Sequence, residues 1–425
     1  MRLKVISFNK GEMRTLLAIG LFSCVGLVAG AFAFSAAPEP VDSSKIYGVF
    51  YQAKLDPTSG QANATVTLDQ PRQLVRSIEF LMPPERYLNI GPSEQIEIEG
   101  DRVTWQPPKK GGSLHYDFVI GHKRDNGVDD ARITDSWALF KLDHLFPRAN
   151  ARVVKGATSS ASLGLIAPEE WAIETPYGRA ATQVLEIIDP YRNFDRPRGW
   201  LLAGKLGVRR DRVGERIINV ANPLGTDARA NDVLAFVRWT LPSLIEVFPK
   251  FPPRLLIVSG PADMWRGGLS GYASLYLHND RPLISGNRTS AVLHELVHVA
   301  SRLHAREGAD WIVEGIAEYY SLNLLFRSGG ISERRYDEAF EQLTQWSEEA
   351  ECVATDRSQG EQTAFAAVLM RALDAEIRAS TRDESSLDTL VQALVEANTP
   401  ITNAAFRAAA TKMTGEPVKA LAGCP

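Results

Sequence analysis

The sequence contains little cysteine, little net charge and no repeated segment. Its 425 residues include three cysteines, which allow one disulfide bond at most. The 47 lysines and arginines nearly balance the 51 aspartates and glutamates, and the formal net charge is -4. This balance provides no basic field for nucleic acid, and no nucleic-acid partner is expected. Since there is also no long low-complexity segment, the function has to be inferred from individual sites.

A long apolar segment is present at the N-terminus. Basic residues precede an uncharged, mainly apolar run over residues 16–34, and small residues and prolines follow it. This order is typical of an export signal. The run also approaches the roughly 20 residues that span a bilayer, so residues 1–40 are predicted to be either a cleaved signal peptide or a membrane anchor. Both alternatives place the rest of the chain on the periplasmic or extracellular side, with membrane contact only through this segment if it is uncleaved.

Two cysteines, Cys352 and Cys424, lie after the N-terminal segment. In an oxidising compartment they can form a disulfide bond, which would tie the C-terminal tail to the helical region before it. The alternative is two separate buried thiols. The sequence leaves both open.

Short runs with β-strand character dominate residues 41–185. Alternating or apolar stretches are separated by turn signals, among them Asp125-Asn126-Gly127, which favours a tight turn. The predicted strands are Ile46–Ala53, Ala64–Leu68, Val75–Leu81, Gln95–Glu99, Val103–Gln106 and Leu114–Ile120. This part of the chain is therefore predicted to be an antiparallel β domain.

The rest of the chain changes from mixed to helical character. Residues 186–330 combine the apolar, strand-like run Leu255–Ser259 with a helical stretch, Asp232–Val247, which Pro242 is expected to kink. Residues 331–425 have helical periodicity, in the predicted helices Tyr336–Glu349, Glu361–Ala379, Ser386–Glu396 and Asn403–Met413. The predicted fold class is multidomain α+β, with an antiparallel β domain, an α/β domain and a C-terminal helical domain.

Residues 294–320 contain the side chains with the clearest chemistry. His294 and His298 are four residues apart in an amphipathic helical pattern, which places both imidazoles on one face of the helix. Two histidines on adjacent turns can bind one Zn²⁺. Glu295 lies on the same side without being in line with the histidines, and this suits a general base better than a metal ligand.

A second predicted helix follows after a short turn. Asp310 can cap this helix, and Thr289 or Ser290 can cap the first one. Glu314 and Glu318 are again four residues apart, so one carboxylate can complete a set of three protein ligands. Glu318 is then placed to accept the second ring N–H of a ligand histidine and to fix its tautomer. The pattern predicts one zinc ion held by two histidines and a glutamate.

The motif HELVH followed by WIVEGIAEYY resembles the gluzincin metallopeptidases, and in detail the glycyl aminopeptidase-like family. The resemblance implies a thermolysin-like fold for the α/β domain, between a β domain and a helical domain. It also implies that His294, His298 and Glu314 are the zinc ligands, that Glu295 is the general base and that Glu318 supports a ligand histidine.

Other segments extend the resemblance over roughly residues 45–400. Gly267-Gly268-Leu269 is similar to the beginning of the family's substrate-lining strand, and Leu373–Arg378 is similar to part of its C-terminal helices. The residues predicted to line the substrate site are Gly268, Leu269, Ser270 and Tyr272. Family members often carry a C-terminal PDZ domain, and none is predicted here.

Two positions depart from the family's pattern. Ser270 stands where a glutamate can hold the free amino group of a substrate. Thr363 stands where a tyrosine can stabilise negative charge on the scissile carbonyl oxygen. The tyrosines that could replace that donor are Tyr272, Tyr276, Tyr319 and Tyr320.

The predicted function is that of an exported metallopeptidase which hydrolyses peptide bonds through a zinc-activated water, with a peptide or protein as its substrate. Because the family's glutamate is missing, aminopeptidase specificity is not expected to follow from the resemblance. The alternative is a zinc-stabilised pseudopeptidase with little or no activity. Such a protein would bind a peptide along an edge strand near Gly268–Leu277.

Overall fold

β-Strands make up most of the described residues between positions 43 and 204. A computed structural model of the chain describes residues 43–180, 183–188, 194–226, 228–350 and 354–424. The strands of this part are β1 (Ile46–Asp56), β2 (Gln61–Asp69), β3 (Val75–Leu81), β4 (Tyr87–Gly91), β5 (Ile96–Glu99), β6 (Arg102–Trp105), β7 (Gly111–Val119), β8 (His122–Lys123), β9 (Asp129–Ile133), β10 (Trp137–Lys141), β11 (Ala149–Val153), β12 (Thr158–Ile166), β13 (Ala172–Thr175), β14 (Gly178–Arg179), β15 (Leu185–Ile187) and β16 (Trp200–Gly204). A one-turn helix, α1 (Leu142–Leu145), follows β10.

The described strands of this part form three sheets, and their apolar faces share a core. The strand orders are β15-β12-β1-β2-β7-β4, β14-β13-β16-β10-β9-β8 and β11-β3-β6-β5. Buried residues alternate with more exposed ones along β1 and β2, as expected when one face of a sheet is packed and the other is solvated. Tyr47, Tyr51, Trp105 and Phe118 are among the large side chains that fill this core.

One strand pair shows that the prediction of a purely antiparallel β domain is wrong. β1 runs parallel to β12, with Ile46 opposite Thr158 and Lys54 opposite Ile166, whereas β1 and β2 are antiparallel. Parallel neighbours need a long connection, and the strands from β2 to β11 provide it here. The six predicted strands are confirmed as β1, β2, β3, β5, β6 and β7, with shifted ends.

A mixed five-stranded sheet follows. Its strands are β17 (Leu206–Val213), β18 (Arg216–Pro223), β19 (Arg254–Gly260), β20 (Gly268–Gly271) and β21 (Ser274–His278), in the order β17-β18-β19-β21-β20. The three central strands are parallel, and both edge strands are antiparallel to their neighbours. β19 contains the predicted run Leu255–Ser259 and is buried along it. β20 is therefore an edge strand, and no other described strand pairs with its outer side.

Helices cover this sheet and form the C-terminal part of the molecule. They are α2 (Ala230–Val247), α3 (Ala291–Ser301), α4 (Asp310–Arg327), α5 (Glu333–Trp346), α6 (Glu361–Thr381), α7 (Leu387–Ala397) and α8 (Asn403–Thr414). The predicted helices are confirmed, and α2 continues past Pro242, which lies inside it. One hydrophobic cluster runs from Ile218 in the sheet to Leu421 near the C-terminus. The domain boundaries at residues 185 and 330 stay predictions.

Some predictions concern residues that the structure does not describe. The predicted export segment, residues 16–34, lies outside the described ranges. Among the helices within those ranges, none combines the length and the hydropathy of a membrane span. Cys424 is disulfide-bonded, and Cys352, its partner in one of the two alternatives, lies outside the described residues.

Candidate metal centre

Helix α3 carries the two histidines of the motif. Ser290 is its N-cap, since the Ser290 hydroxyl accepts a hydrogen bond of 3.3 Å from the backbone N–H of Leu293. Leu293 and Leu296 are buried in the core. The side chains of His294 and His298 retain 16% and 15% of their exposure and line a cleft. Burial of the apolar face therefore directs both imidazoles towards the cleft.

Helix α4 brings Glu314 to the same cleft and Glu318 next to the ring of His294. Its first residue is Asp310, and its N-cap is Ala309, so the prediction that Asp310 caps this helix is wrong. The Asp310 carboxylate instead accepts a hydrogen bond of 2.7 Å from the backbone N–H of Ser358, which the loop before α6 places there. Glu314 and Glu318 lie one turn apart on the side of α4 that faces α3.

A glycine next to Glu314 permits close packing of α4 against α6. A Cβ atom at Gly315 would lie 2.7 Å from the Cβ of Ala366 and 3.0 Å from its carbonyl carbon. Real Cβ atoms do not approach that closely, so any other residue at position 315 would push the helices apart. Gly315 and Ala366 thus set the depth at which Glu314 sits.

The three predicted ligands converge. His294 Nε2 lies 3.1 Å from His298 Nε2 and 3.2 Å from Glu314 Oε2, and His298 Nε2 lies 3.4 Å from Glu314 Oε1. Ligand atoms about 2.0–2.1 Å from a tetrahedral zinc ion are about 3.3 Å apart. Two imidazole nitrogens and a carboxylate oxygen are also donors that zinc accepts. The residues present therefore fit a metal ion of this kind.

Glu318 contacts the outer nitrogen of His294. Its Oε2 lies 2.9 Å from His294 Nδ1. A proton on Nδ1 that is donated to this carboxylate leaves the lone pair of Nε2 directed towards the other two donors. Burial lowers the pKa of His294, but Glu314 and Glu318 outweigh burial and raise this pKa well above its ordinary value. Burial raises the pKa of Glu314, but His294 and His298 hold it well below the ordinary range. The carboxylates of Glu314 and Glu318 therefore favour a positive charge at the ring of His294.

Glu295 lies beside these donors without being one of them. Its Oε2 accepts a hydrogen bond of 2.7 Å from the backbone N–H of Ser270 in β20. A Cβ atom at Gly268 would lie 3.1 Å from Glu295 Cγ, so a glycine lets the edge strand approach this side chain. Glu295 therefore connects α3 with β20.

His294, Glu295, His298 and Glu314 line a cleft of about 1150 Å³. The predicted substrate residues that line it are Gly268, Leu269, Ser270 and Tyr272. The hydroxyl of Tyr272 donates to the carbonyl of Ile188 at 3.1 Å. The other candidate tyrosines donate to Trp265 (from Tyr276), Asp374 (from Tyr319) and Asp388 (from Tyr320). Those three rings are buried and are not part of the lining, so Tyr272 is the candidate tyrosine that faces the cleft.

Sequence reasoning missed the side chains that hold the edge strand. Lys141 Nζ donates to the carbonyl of Ser270 at 3.0 Å, and Trp200 Nε1 donates to the carbonyl of Leu269 at 2.8 Å. Lys141 ends β10 and Trp200 begins β16, so both reach β20 from the N-terminal half. No local signal marks these residues, because 129 positions separate Lys141 from Ser270.

Comparisons with known proteins bear on the fold. The sequence matches no family model, and it matches no curated protein. The structure is similar to the crystal structure of an aminopeptidase N family protein from Idiomarina loihiensis, with a TM-score of 0.58, 16% sequence identity and coverage of 82% of this chain and 70% of that one. It is also similar to the structure of Legionella pneumophila aminopeptidase A in complex with aspartic acid, with a TM-score of 0.55 and 12% identity. That match covers 88% of this chain and 48% of the other, so the chain spans less than half of that protein. At these identities the likeness is one of fold.

Proposed function

We propose that the protein is a zinc-dependent metallopeptidase in which His294, His298 and Glu314 hold one Zn²⁺ and Glu295 is the general base. One observation carries the proposal. The two Nε2 atoms lie 3.1 Å apart, and each lies 3.2–3.4 Å from one of the two carboxylate oxygens of Glu314. Glu295 is adjacent to these residues but outside the set. Structural zinc sites have four protein ligands, whereas catalytic sites have three and an open position. The number of donors supports a catalytic site.

When bound, zinc would lower the pKa of a water molecule, so that this water can lose a proton and attack a carbonyl near neutral pH, and it would polarise that carbonyl. Glu295 takes the proton of the attacking water and later gives it to the leaving amine. The hydrogen bond from Ser270 fixes Oε2 of this carboxylate, so the other oxygen, Oε1, exchanges the proton. Glu318 holds His294 in the tautomer whose Nε2 can act as a ligand.

The substrate is a peptide or protein segment that lies along β20. Gly268 and Ser270 belong to this strand and adjoin Glu295. Residues 186–330 form the catalytic domain, with a thermolysin-like fold, and the likeness to two aminopeptidase structures supports this assignment at the level of fold. Because Ser270 has no charge with which to hold a substrate's amino group, we do not expect aminopeptidase specificity.

The test combines zinc quantification with cleavage of a broad peptide library. We expect wild-type protein to contain about one zinc ion per chain and to cleave a subset of peptides. Glu295→Gln should retain the zinc and lose about 100- to 10,000-fold in kcat/KM, because the base is removed while the ligands remain. His294→Ala should lose both zinc and cleavage.

Two results would contradict the proposal at different points. Zinc content near zero that persists after zinc is added would exclude the metal centre. Equal cleavage by wild type and Glu295→Gln would exclude the assigned base, and the activity would then have to come from a contaminant or another site.

A second function, that of a zinc-stabilised pseudopeptidase, is favoured by two residues. Ser270 and Thr363 stand where the family carries a glutamate and a tyrosine. Both functions place the peptide along β20, where it must compete with existing contacts, because side chains already occupy the Ser270 N–H and the carbonyls of Leu269 and Ser270. These contacts therefore do not distinguish the two functions. A wild-type protein that binds zinc and library peptides but cleaves none would favour this function.

Export is a further part of the proposal. Residues 1–40 direct the chain across a membrane, and residues 16–34 either leave with the signal peptide or anchor the protein. The order of basic, apolar and small residues supports export. N-terminal sequencing of protein from fractionated cells distinguishes the two forms, and recovery of the full-length chain in the cytosolic fraction alone would exclude both.

A further inference from the structure

The five-stranded sheet packs one face against the sheet β14-β13-β16-β10-β9-β8. Leu202 in β16 and Leu256 in β19 belong to the apolar cluster between these two sheets. Glu174 in β13 lies opposite Leu202 and therefore points to the same side. In the other sheet, Asn219 in β18 lies opposite Leu256. Asn219 donates a hydrogen bond of 3.2 Å to Glu174, so a polar pair lies beside the apolar contact.

The same face of the five-stranded sheet carries arginines next to this polar pair. Side chains that are two residues apart in a strand point to the same face. Arg210 in β17 lies opposite Asn219, and Arg212 follows two residues later. Arg254 in β19 lies opposite Ile217, which is two residues before Asn219 in β18. Three arginines of this sheet therefore share the face that contacts Glu174.

A fourth arginine reaches this place from the other sheet. Arg179 lies opposite Glu174 in the hairpin of β13 and β14, so both side chains point to one side. Arg210 Nη2 lies 3.8 Å from Glu174 Oε1. Burial raises the pKa of Glu174, and Arg210, Arg179 and Arg254 each oppose this shift. These guanidinium groups therefore act on one carboxylate. The four arginines, called the arginine cluster below, are Arg179, Arg210, Arg212 and Arg254.

The acidic residues around the arginine cluster are too few to neutralise it. The strands that form this junction, β13, β14, β17, β18 and β19, contain two acidic residues, Glu174 and Asp211. Asp211 points to the opposite face of β17, where its carboxylate lies 2.9 Å from Arg238 Nη1. Glu215, in the turn between β17 and β18, is exposed and forms no ion pair with a described residue. Four guanidinium groups thus face one carboxylate on these strands and a second one at the turn.

Most hydrogen-bond donors of the arginine cluster are unused. The Nε atom of Arg210 donates to Asn219 Oδ1 at 2.9 Å. Arg179, Arg212 and Arg254 are exposed, and no carboxylate or carbonyl of a described residue accepts a hydrogen bond from their guanidinium groups. Each guanidinium group has five N–H donors in a fixed plane, an arrangement that matches the oxygens of a phosphate group. The cluster therefore offers both charge and donors to an anion.

We propose that the arginine cluster binds a phosphate group with two negative charges at the junction of the two sheets. The cations outnumber the carboxylates by at least two, which matches a dianion better than the single charge of a carboxylate. The phosphate group would contact β14 on one side and β17 and β19 on the other. It belongs either to a soluble phosphate ester or to a lipid headgroup. The four arginines are not part of the cleft lining, so this inference does not depend on the proposed peptidase function.

Calorimetric titration of the full-length chain with inorganic phosphate tests the site. We expect saturable binding that weakens as sodium chloride is added. Arg212→Gln with Arg254→Gln should weaken the affinity by at least about ten-fold, because two of the four guanidinium groups are lost. Arg76→Gln with Arg152→Gln is the matched control, since both arginines are exposed and belong to the sheet β11-β3-β6-β5.

Two results of this titration would overturn the inference. One is the absence of saturable phosphate binding by wild type. The other is equal affinity of the double variant and its control. If the arginines only protect the edge strand β17 from pairing with another chain, the double variant should self-associate while its phosphate affinity is unchanged, and this result would also overturn the inference.

Glu174→Gln distinguishes a site at the junction from a general attraction to exposed arginines. The amide keeps the shape of the side chain and removes its negative charge. We expect phosphate to bind about two- to ten-fold more tightly to this variant, because a like charge next to the anion is lost. Thermal unfolding checks that the variant is folded. An affinity equal to that of wild type would place the phosphate away from Glu174 and would overturn the inference.

Vesicles identify the source of the phosphate group. Sedimentation with vesicles of phosphatidylcholine, with and without phosphatidic acid, compares wild type with the Arg212→Gln and Arg254→Gln double variant. Both proteins have the same N-terminal segment, so this segment does not contribute to the difference. Binding to phosphatidic acid that falls in the double variant assigns the phosphate to a lipid. Equal sedimentation of the two proteins, together with the expected titration, assigns it to a soluble ester.

Discussion

Glu318 influences the candidate metal centre through a neighbour. Its carboxylate lies 2.9 Å from the Nδ1 atom of His294, on the side of the ring away from the other donors. A carboxylate in this place fixes the ring and increases the basicity of the ligand nitrogen. The glutamate spaced four residues before it, Glu314, supplies a donor atom directly. In the proposed metal centre, the same residue type thus has two roles one turn apart.

Glu318→Gln should lower the affinity for zinc by about 10- to 100-fold while the fold is retained. The amide can still contact Nδ1 but carries no negative charge. The measurement is competition for zinc against a chelating dye, with circular dichroism as a check on folding. Glu314→Gln, which changes a converging donor, should have the larger effect. Equal zinc affinities of wild type and Glu318→Gln would contradict the assigned role.

At the scale of elements, local spacing predicts the part of the site that two helices carry. His294 and His298 on α3, and Glu314 and Glu318 on α4, are each four residues apart, and a short loop joins the helices. The N-caps are predicted less well. For α3 the sequence left two candidates, of which Ser290 is the observed cap, and for α4 the predicted cap Asp310 is not the observed one. Whether a side chain caps a helix depends on which backbone groups lie near it. The carboxylate of Asp310 binds a backbone N–H of the loop before α6 instead of one in its own helix.

Strands contribute contacts that the sequence does not reveal. Lys141 and Trp200 reach β20 from β10 and β16, and each is spaced from its partner by a large part of the chain. The parallel pairing of β1 with β12 is hidden for the same reason. Alternation predicts that a segment is a strand and which face is buried, but it contains no information on distant partners.

The close packing of α4 and α6 makes Gly315 sensitive to substitution. Alanine favours a helix by about 1 kcal/mol over glycine. Against this, a Cβ would meet Ala366 at 2.7 Å and its carbonyl carbon at 3.0 Å, and overpacking costs about 1–3 kcal/mol. We expect Gly315→Ala to destabilise the protein and to weaken zinc binding, because Glu314 moves with its helix.

Thermal unfolding and zinc competition measure the two effects. Gly121→Ala is a matched control, since a Cβ there has nothing within 4 Å. Adding Ala366→Gly to Gly315→Ala removes the shortest of the contacts and should restore part of the stability. If Gly315→Ala is as stable as wild type and binds zinc equally, the added Cβ does not push α4 away from α6, and the expectation is contradicted.

At the scale of the molecule, a buried carboxylate joins the N-terminal sheets to the five-stranded sheet. Glu174 in β13 is 1% exposed. Its Oε2 accepts a hydrogen bond of 3.2 Å from Asn219 in β18, and its Oε1 lies 3.8 Å from Arg210 Nη2 in β17. Burial raises the pKa of Glu174 above its ordinary 4.5, although Arg210 opposes the shift. This contact links the part that supplies Lys141 to the sheet that contains β20.

The raised pKa predicts how this junction responds to pH. Between pH 4.5 and the folded-state pKa, the folded protein binds the proton of Glu174 more tightly than the unfolded chain does. The free energy of unfolding therefore falls as the pH rises through this window, by up to about 1.4 kcal/mol per pH unit for one proton. Glu174→Gln removes this titration and should gain in melting temperature relative to wild type as the pH rises from about 4.5 to 7. Calorimetry of both proteins over this range measures the difference, with Glu79→Gln, an exposed carboxylate in β3, as the control. A difference that is constant with pH would mean that Glu174 titrates alike in the folded and unfolded chain, and the junction would then not contribute to the pH dependence of stability.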